Sequence, residues 1–334
     1  MQQGAIQRQD STPAAGSPGL RPLEFIMHSC AQQDEMHQNV DATLARGYQS
    51  IIPYLGSQKG ACSIVGAAPS LRKTYHHLRN LPGDIIAINS SLRFLLERGI
   101  VPKWAMLWDA AEIVAEFLSL ARHATPHPDI TYLVAARCHP YVFEKLRGCK
   151  VVTWFAAGDY DIDDYMRKKG INDPAIKGGS AGVTRAMYLM ATLGYTHQNI
   201  FGADSSYSDN NASHVNGSLV NEKTLKVWVG NGHGRRMFSA TPEWCEQVNE
   251  FRDTYQLFRH PMFNMTVDVY GDGMLPHMAG LMKAKEAAGK LWNPDGTPHP
   301  STITPEKQKA EADYIKANPQ LLEKGKEHGS DARQ

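Results

Sequence analysis

At 334 residues the chain is long enough to bury a sizeable core in one large domain or two ordinary ones. Its 35 Lys and Arg against 34 Asp and Glu leave a formal charge of +1, without the basic footprint of a dedicated nucleic-acid binder. Five scattered cysteines with no Cys-x-x-Cys pair argue against a disulfide framework or a structural zinc, and no apolar run approaches the roughly 20 residues of a membrane helix.

Residues 1–20 are rich in Gln, Pro, Ser and Gly and predict a disordered leader without the apolar stretch of a signal peptide, so the cytoplasm is the expected compartment. A helix is predicted from Asp34 to Ala45. Short apolar runs then alternate with helical patterns, the signature of an α/β, Rossmann-like, mostly parallel sheet with helices on both faces. The predicted strands are Cys62–Val65, Asp84–Asn89, Trp104–Trp108, Ile130–Ala135, Lys150–Phe155 and Asn199–Gly202. Between them lie helices from Ser70 to about Asn80, from Ser91 to Arg98 with a glycine stop at Gly99, from Tyr141 to Leu146, and from Gly178-Gly179-Ser180 to Leu193. After Tyr207 the pattern loosens into a long polar loop, followed by a helix from Pro242 to about Arg259 and a strand from Met265 to Tyr270. Residues 21–292 are expected to form one transferase domain, and residues 293–334 a charged, largely disordered tail with a short exposed helix.

In open α/β sheets ligands bind beyond the carboxyl ends of the strands, so the residues that follow each strand are the candidates. After the first strand stands Gly66-Ala67-Ala68-Pro69-Ser70-Leu71. Gly66 permits close approach, Pro69 suits a helix start and Ser70 is placed to cap it, so that free N–H donors face a phosphate; the alternative is a plain βα turn. Asn89 either caps the next helix or hydrogen-bonds a base, ribose or sugar hydroxyl. Asp109, with Glu112 one turn later, either caps a helix at Ala110 or holds Mg²⁺ bridging nucleotide phosphates. Gly178, Gly179 and Ser180 offer a second glycine-rich helix entry, for an anion or sugar or simply for tight packing. Asp204 follows the last strand of the series with His214 shortly after, an acid/base pair if the fold brings them together. Asp161, Asp163 and Asp164 read as a solvated acidic loop, with a metal site as the alternative, His76 and His77 as an exposed helix face, and Arg235 and Arg236 as surface arginines or as a grip on phosphate.

In order and spacing, these segments resemble the MptE-like 6-hydroxymethylpterin diphosphokinase family, whose relatives include the Maf flagellin glycosyltransferases. The resemblance runs over about residues 60–215. It is carried by Ile64 to Leu71, by Gly99-Ile100-Val101-Pro102 leading to Asp109, by Gly178-Gly179-Ser180 with Leu193-Gly194, and by Gly202 to Tyr207 with His214. The same order is similar to that of bacterial sialyltransferases that use a CMP-sugar, and Leu193-Gly194-Tyr195 fits them too. Ala68 departs from the second glycine usual in the family's turn.

The resemblance implies a nucleotide-dependent transferase. The turn Gly66, Ala67, Pro69 and Ser70 would hold donor phosphates, with Asn89, Gly178, Gly179 and Ser180 on nucleoside or sugar and Asp109 on Mg²⁺. Asp204 and His214 would orient or deprotonate the acceptor. ATP with transfer of diphosphate to a hydroxyl of a small acceptor such as a pterin is the first expectation. A nucleotide-sugar with glycosyl transfer is the second, and a non-catalytic nucleotide-binding protein the third. The expected partners are therefore a nucleotide donor and a hydroxyl acceptor, with homo-oligomerisation open.

Overall fold

Short runs of β-branched and aromatic residues, each bounded by a glycine, proline or asparagine turn, become the strands of one parallel sheet. The structure, a computed structural model, describes residues 33–118, 126–157, 162–215, 224–230, 234–260, 262–263 and 265–289. The expected leader and tail, Asp161, the Asp163 side chain and the loop residues 231–233 lie outside the described residues.

The chain opens with α1 (Gln33–Leu44) and a two-residue strand β1 (Gln49–Ser50). Then come β2 (Ala61–Val65), α2 (Leu71–Thr74), β3 (Asp84–Ile88), α3 (Ser91–Leu96) and β4 (Trp104–Leu107). Next are β5 (Thr131–Ala135), α4 (Pro140–Lys145), β6 (Lys150–Ala156), α5 (Ile162–Lys168), β7 (Ala175–Ile176), α6 (Gly182–Leu193) and β8 (His197–Phe201). The last part holds β9 (Leu225–Val229), β10 (Arg236–Ala240), α7 (Pro242–Phe258), β11 (Thr266–Tyr270) and α8 (Met274–Ala287). Among the described residues no helix is long and apolar enough to cross a membrane.

The main sheet runs β1-β6-β5-β4-β3-β2-β8-β11, with β7 beside β6, and its ladders are parallel. From β2 the chain steps outward strand by strand to β6. It then returns to place β8 on the other side of β2, so the order reverses between β2 and β8. Such a switch point opens a crevice above the carboxyl ends of the two strands. The core that holds the sheet rigid there includes Trp104, Trp154, Tyr132, Phe201 and Phe251, all fully buried.

Local chemistry sets several element ends. Gly99 and Gly194, at φ +67° and +111°, stop α3 and α6 in the left-handed region that glycine adopts without steric cost. Thr241 caps α7 by accepting from the Trp244 N–H, with Pro242 at the first helical position. Three expectations are corrected. The helix after Ser70 is α-helical only to Thr74 and continues as a 3₁₀ turn to Arg79. The polar stretch after Tyr207 contains the antiparallel pair β9–β10, whose alternation is hidden among Asn, Gly and Ser. Asp164 lies on α5 and pairs with Arg167 at 2.8 Å, as an exposed helical pair rather than a loop.

Candidate active site

Two segments far apart in sequence lock together at the switch point. Val65 pairs with Phe201 in register, which brings Gly66 against Gly202. A Cβ on Gly66 would collide with the Gly202 carbonyl, and a Cβ on Gly202, itself at φ +59°, would collide with the Gly66 carbonyl. Glycine is therefore needed at both places for backbone to pass backbone. Gly66→Ala is expected to cost about 2 kcal/mol of stability, the usual scale of a forced core overlap, read from the shift of the urea midpoint.

The lock continues outward. The Ala68 N–H donates to the Gly202 carbonyl at 3.0 Å, the Val215 N–H to the Ala67 carbonyl at 2.7 Å, and Arg72 Nε to the Val215 carbonyl at 2.6 Å. Ser70 sits between these, and Asp204 takes both of its donors: Oδ2 accepts from the Ser70 N–H at 2.9 Å and Oδ1 from the Ser70 hydroxyl. Both residues are buried. This corrects two expectations. Ser70 does not cap α2, because its side chain is turned to Asp204 across 134 positions of sequence. Nor does the turn present a row of free amides. Those of Gly66, Ala68, Ser70, Leu71, Arg72 and Lys73 all have protein acceptors.

Above the lock lies an open cavity of about 350 Å³. Gly66, Ala67, Asn89, Asp109, Ser180, Asp204 and His214 all line it, so residues that follow β2, β3, β4, β8 and the start of α6 meet as expected. Pro69, Ser70, Gly178 and Gly179 do not line it; Ser70 stands behind Asp204, and the two glycines serve packing. A Cβ on Gly178 would strike Arg185, and one on Gly179 would strike Thr184 and Glu250.

Asn89 carries a left-handed backbone, φ +45°, and its buried Oδ1 has no hydrogen-bond partner. Ser205, also on the lining, is left-handed at φ +46°. Such conformations in non-glycine residues persist where the surroundings enforce them, and they gather at ligand sites. Asp109 lies at the end of β4, with Oδ1 accepting from the Ala111 N–H at 3.3 Å. Next to it, Trp108 backs onto two buried guanidinium groups, Arg137 at 4.6 Å and Arg185 at 5.2 Å from the ring centroid.

The helix expected from Gly178 begins at Gly182, with Ala181 at the cap position and no side-chain cap. Gly182 and Val183, in its first turn, line the cavity, so their amides and the positive end of a 12-residue helix face it. Of the two helix entries the sequence offered for an anion, the one at α6 keeps uncapped first-turn residues on the cavity, and the turn before α2 does not. The Ser180 N–H and hydroxyl both donate to Glu250 Oε2 at 2.8 Å.

His214, also on the lining, has its Nδ1 3.0 Å from the Ser213 hydroxyl. The ring is reached by solvent, yet the atoms packed against its inner side lower its pKa below the ordinary imidazole value. Burial raises the Asp204 carboxyl above the usual carboxylate range, against the lowering effect of its bonds from Ser70. Asp204 and His214 share the cavity, each held by a different serine. The sequence reading placed the helix α7 but not its part in the site, where it adds Trp244 and Gln247 to the lining and sends Glu250 to Ser180; it missed α8, which adds Leu275. The three-residue spacing of Trp244, Gln247 and Glu250 was visible, but nothing local says which way that helix faces.

A family model described as MptE-like 6-hydroxymethylpterin diphosphokinase matches residues 35–210, more than half of the chain. The chain belongs to the MptE-like family. The MptE-like region ends just after Asp204 to Tyr207, so β9–β10, α7, β11 and α8 lie beyond it. No curated protein matches this MptE-like chain in sequence. In fold it is similar to a Maf glycosyltransferase from Magnetospirillum magneticum AMB-1, with a TM-score of 0.52 and 16% identity. The match covers 76% of this chain and 42% of that one, so the chain spans less than half of the solved relative. Family and fold together support a nucleotide-related transferase.

Among the described residues no three His, Cys, Asp or Glu side chains group as a metal site. The lining offers two carboxylates, and each oxygen of Asp204 already accepts from Ser70. An ion here would rest on Asp109 and on phosphate oxygens, which is the way Mg²⁺ is usually held beside nucleotides.

Proposed function

We propose that this MptE-like chain transfers a diphosphoryl group from ATP to the hydroxyl of a small acceptor, a pterin being the acceptor its family's description suggests. The observation that carries the reading is the cavity at the switch point, which brings together Asn89 with its unpartnered Oδ1, Asp109, the first turn of α6 and His214.

In this reading Asn89 Oδ1 accepts from an N–H or O–H of the nucleoside, and the donor phosphates lie at Gly182 and Val183. Mg²⁺ on Asp109 would neutralise charge spread over the transferring group. The acceptor oxygen bonds to the β-phosphorus, the bond from that phosphorus to the AMP oxygen breaks, and the hydroxyl proton passes to His214 Nε2. For this the Nδ1–H donates to Ser213 Oγ, leaving the lone pair on Nε2. The lowered pKa keeps the ring neutral at physiological pH.

A second reading, glycosyl transfer from a nucleotide-sugar, is favoured by one feature: among the described residues no Lys or Arg lines the cavity. A nucleoside phosphate leaving toward α6 carries less charge than a triphosphate and needs less cationic help. The test is to incubate the protein with ATP, Mg²⁺ and 6-hydroxymethylpterin, and separately with CMP- and UDP-sugars and hydroxyl acceptors, following the nucleotide released. Acceptor-dependent AMP supports the first reading, and nucleotide release from a sugar donor without metal supports the second. With neither, binding alone remains. Asn89→Ala is expected to weaken nucleotide binding about three- to tenfold, the worth of one hydrogen bond, in calorimetric titration.

A further inference from the structure

Glu250 lies on α7, beyond the segment the family model matches. Its Oε2 accepts from both the main-chain N–H and the hydroxyl of Ser180, each at 2.8 Å, at the entrance to α6. Gly179 makes the slot, because a Cβ there would run into the same carboxylate oxygen and Thr184. Ser180 lines the cavity just ahead of the uncapped start of α6, so a phosphoryl oxygen there would take the same N–H and hydroxyl. Two acceptors cannot both take these donors. Glu250 is only half-buried, so its carboxylate has water to return to when it leaves.

We infer that Glu250 is an internal competitor for the donor phosphate: its carboxylate occupies the anion position at the start of α6, and donor binding exchanges it for a phosphoryl oxygen. This rests on the nucleotide reading above. Glu250 thereby sets donor affinity and ties α7 to occupancy, since Trp244 and Gln247 on the same helix line the cavity. When the carboxylate lets go of Ser180, α7 loses its hold on the α6 entrance, so donor binding loosens the wall of the acceptor end.

The experiment is calorimetric titration of AMP at physiological salt into wild type, Glu250→Gln, Glu250→Ala and Ser180→Ala/Glu250→Gln. Glu250→Gln keeps an acceptor for Ser180 and drops the charge, so the fold is held while the competitor weakens; AMP is expected to bind about tenfold tighter. Glu250→Ala should gain at least as much, and the gain should shrink when Ser180 is also replaced. Glu246→Gln, exposed on the same helix, should change affinity little, because surface charge is screened. Equal or weaker AMP binding in Glu250→Gln, or an equal gain in Glu246→Gln, overturns the competitor role while the nucleotide reading stands. AMP binding to none of these proteins overturns both.

Discussion

Asp204→Ala is expected to lower the unfolding free energy by about 3 kcal/mol, while Asp204→Asn leaves the fold standing. Alanine removes the acceptor for the Ser70 N–H and the Ser70 hydroxyl, both buried, and each orphaned group costs about 1–3 kcal/mol. It also leaves a void where Gly271 and Gly273 pack against the carboxylate and its backbone. Asparagine keeps one oxygen for the amide and presents an N–H to the serine oxygen.

The pH dependence has a definite sign. Burial raises the Asp204 pKa above its unfolded value, so the folded state binds the proton more tightly. The stability this group contributes is full below the unfolded value, near 4, and is lost as pH rises through the folded one. Asparagine does not titrate, so its stability relative to wild type should improve from pH 4 to pH 7.5. Urea midpoints at the two pH values test this, and a gap between wild type and Asn that is unchanged or wider at pH 7.5 would refute it. Turnover in Asp204→Asn decides a chemical point as well. If it is retained, Asp204 is a strut between the two turns and the base lies elsewhere.

The second large effect is on rate. His214→Ala is expected to lower turnover by roughly 10²-fold, the usual range for removing general base help, with donor affinity nearly unchanged. Because its surroundings lower the imidazole pKa, the acid limb of kcat should fall below the ordinary value of about 6.5 and disappear in the mutant. The base works only when neutral, so the rate drops as pH falls through that limb. Measured over pH 4.5 to 8, a mutant with wild-type turnover and an unchanged limb would remove His214 from the reaction. It would return the base role to Asp204, where the asparagine variant then gives the answer.

Much of the fold was legible along the chain. Cys62–Val65, Trp104–Trp108 and Lys150–Phe155 are buried runs with glycine or proline punctuation, and a βα succession of this kind has few alternatives to a parallel sheet. The β9–β10 pair escaped because its alternation is short and its flanks polar, and α8 because Pro276 and Gly280 mimic a break, although proline is tolerated in a first helical turn. Gly66, Asn89, Asp109 and Asp204 could be expected to meet because open parallel sheets offer ligands the crevice beyond their strand ends, and that rule needs no tertiary contact.

What the tertiary structure alone decided is how those residues are used. Ser70 has the residue type of a helix cap, but a carboxylate 134 positions away is a stronger acceptor partner than solvent, and it draws the side chain away. Gly66 has the residue type of a phosphate turn, but its missing Cβ is spent on the Gly202 carbonyl, and the turn's amides on β8 and its own carbonyls. Of the two glycine-rich helix entries, only that of α6 is left without a side-chain cap on the cavity, since Ala181 has nothing to cap with. Local sequence sets which groups are available to hydrogen-bond; which partner each one meets depends on strand order, and the reversal between β2 and β8 is a property of the whole sheet.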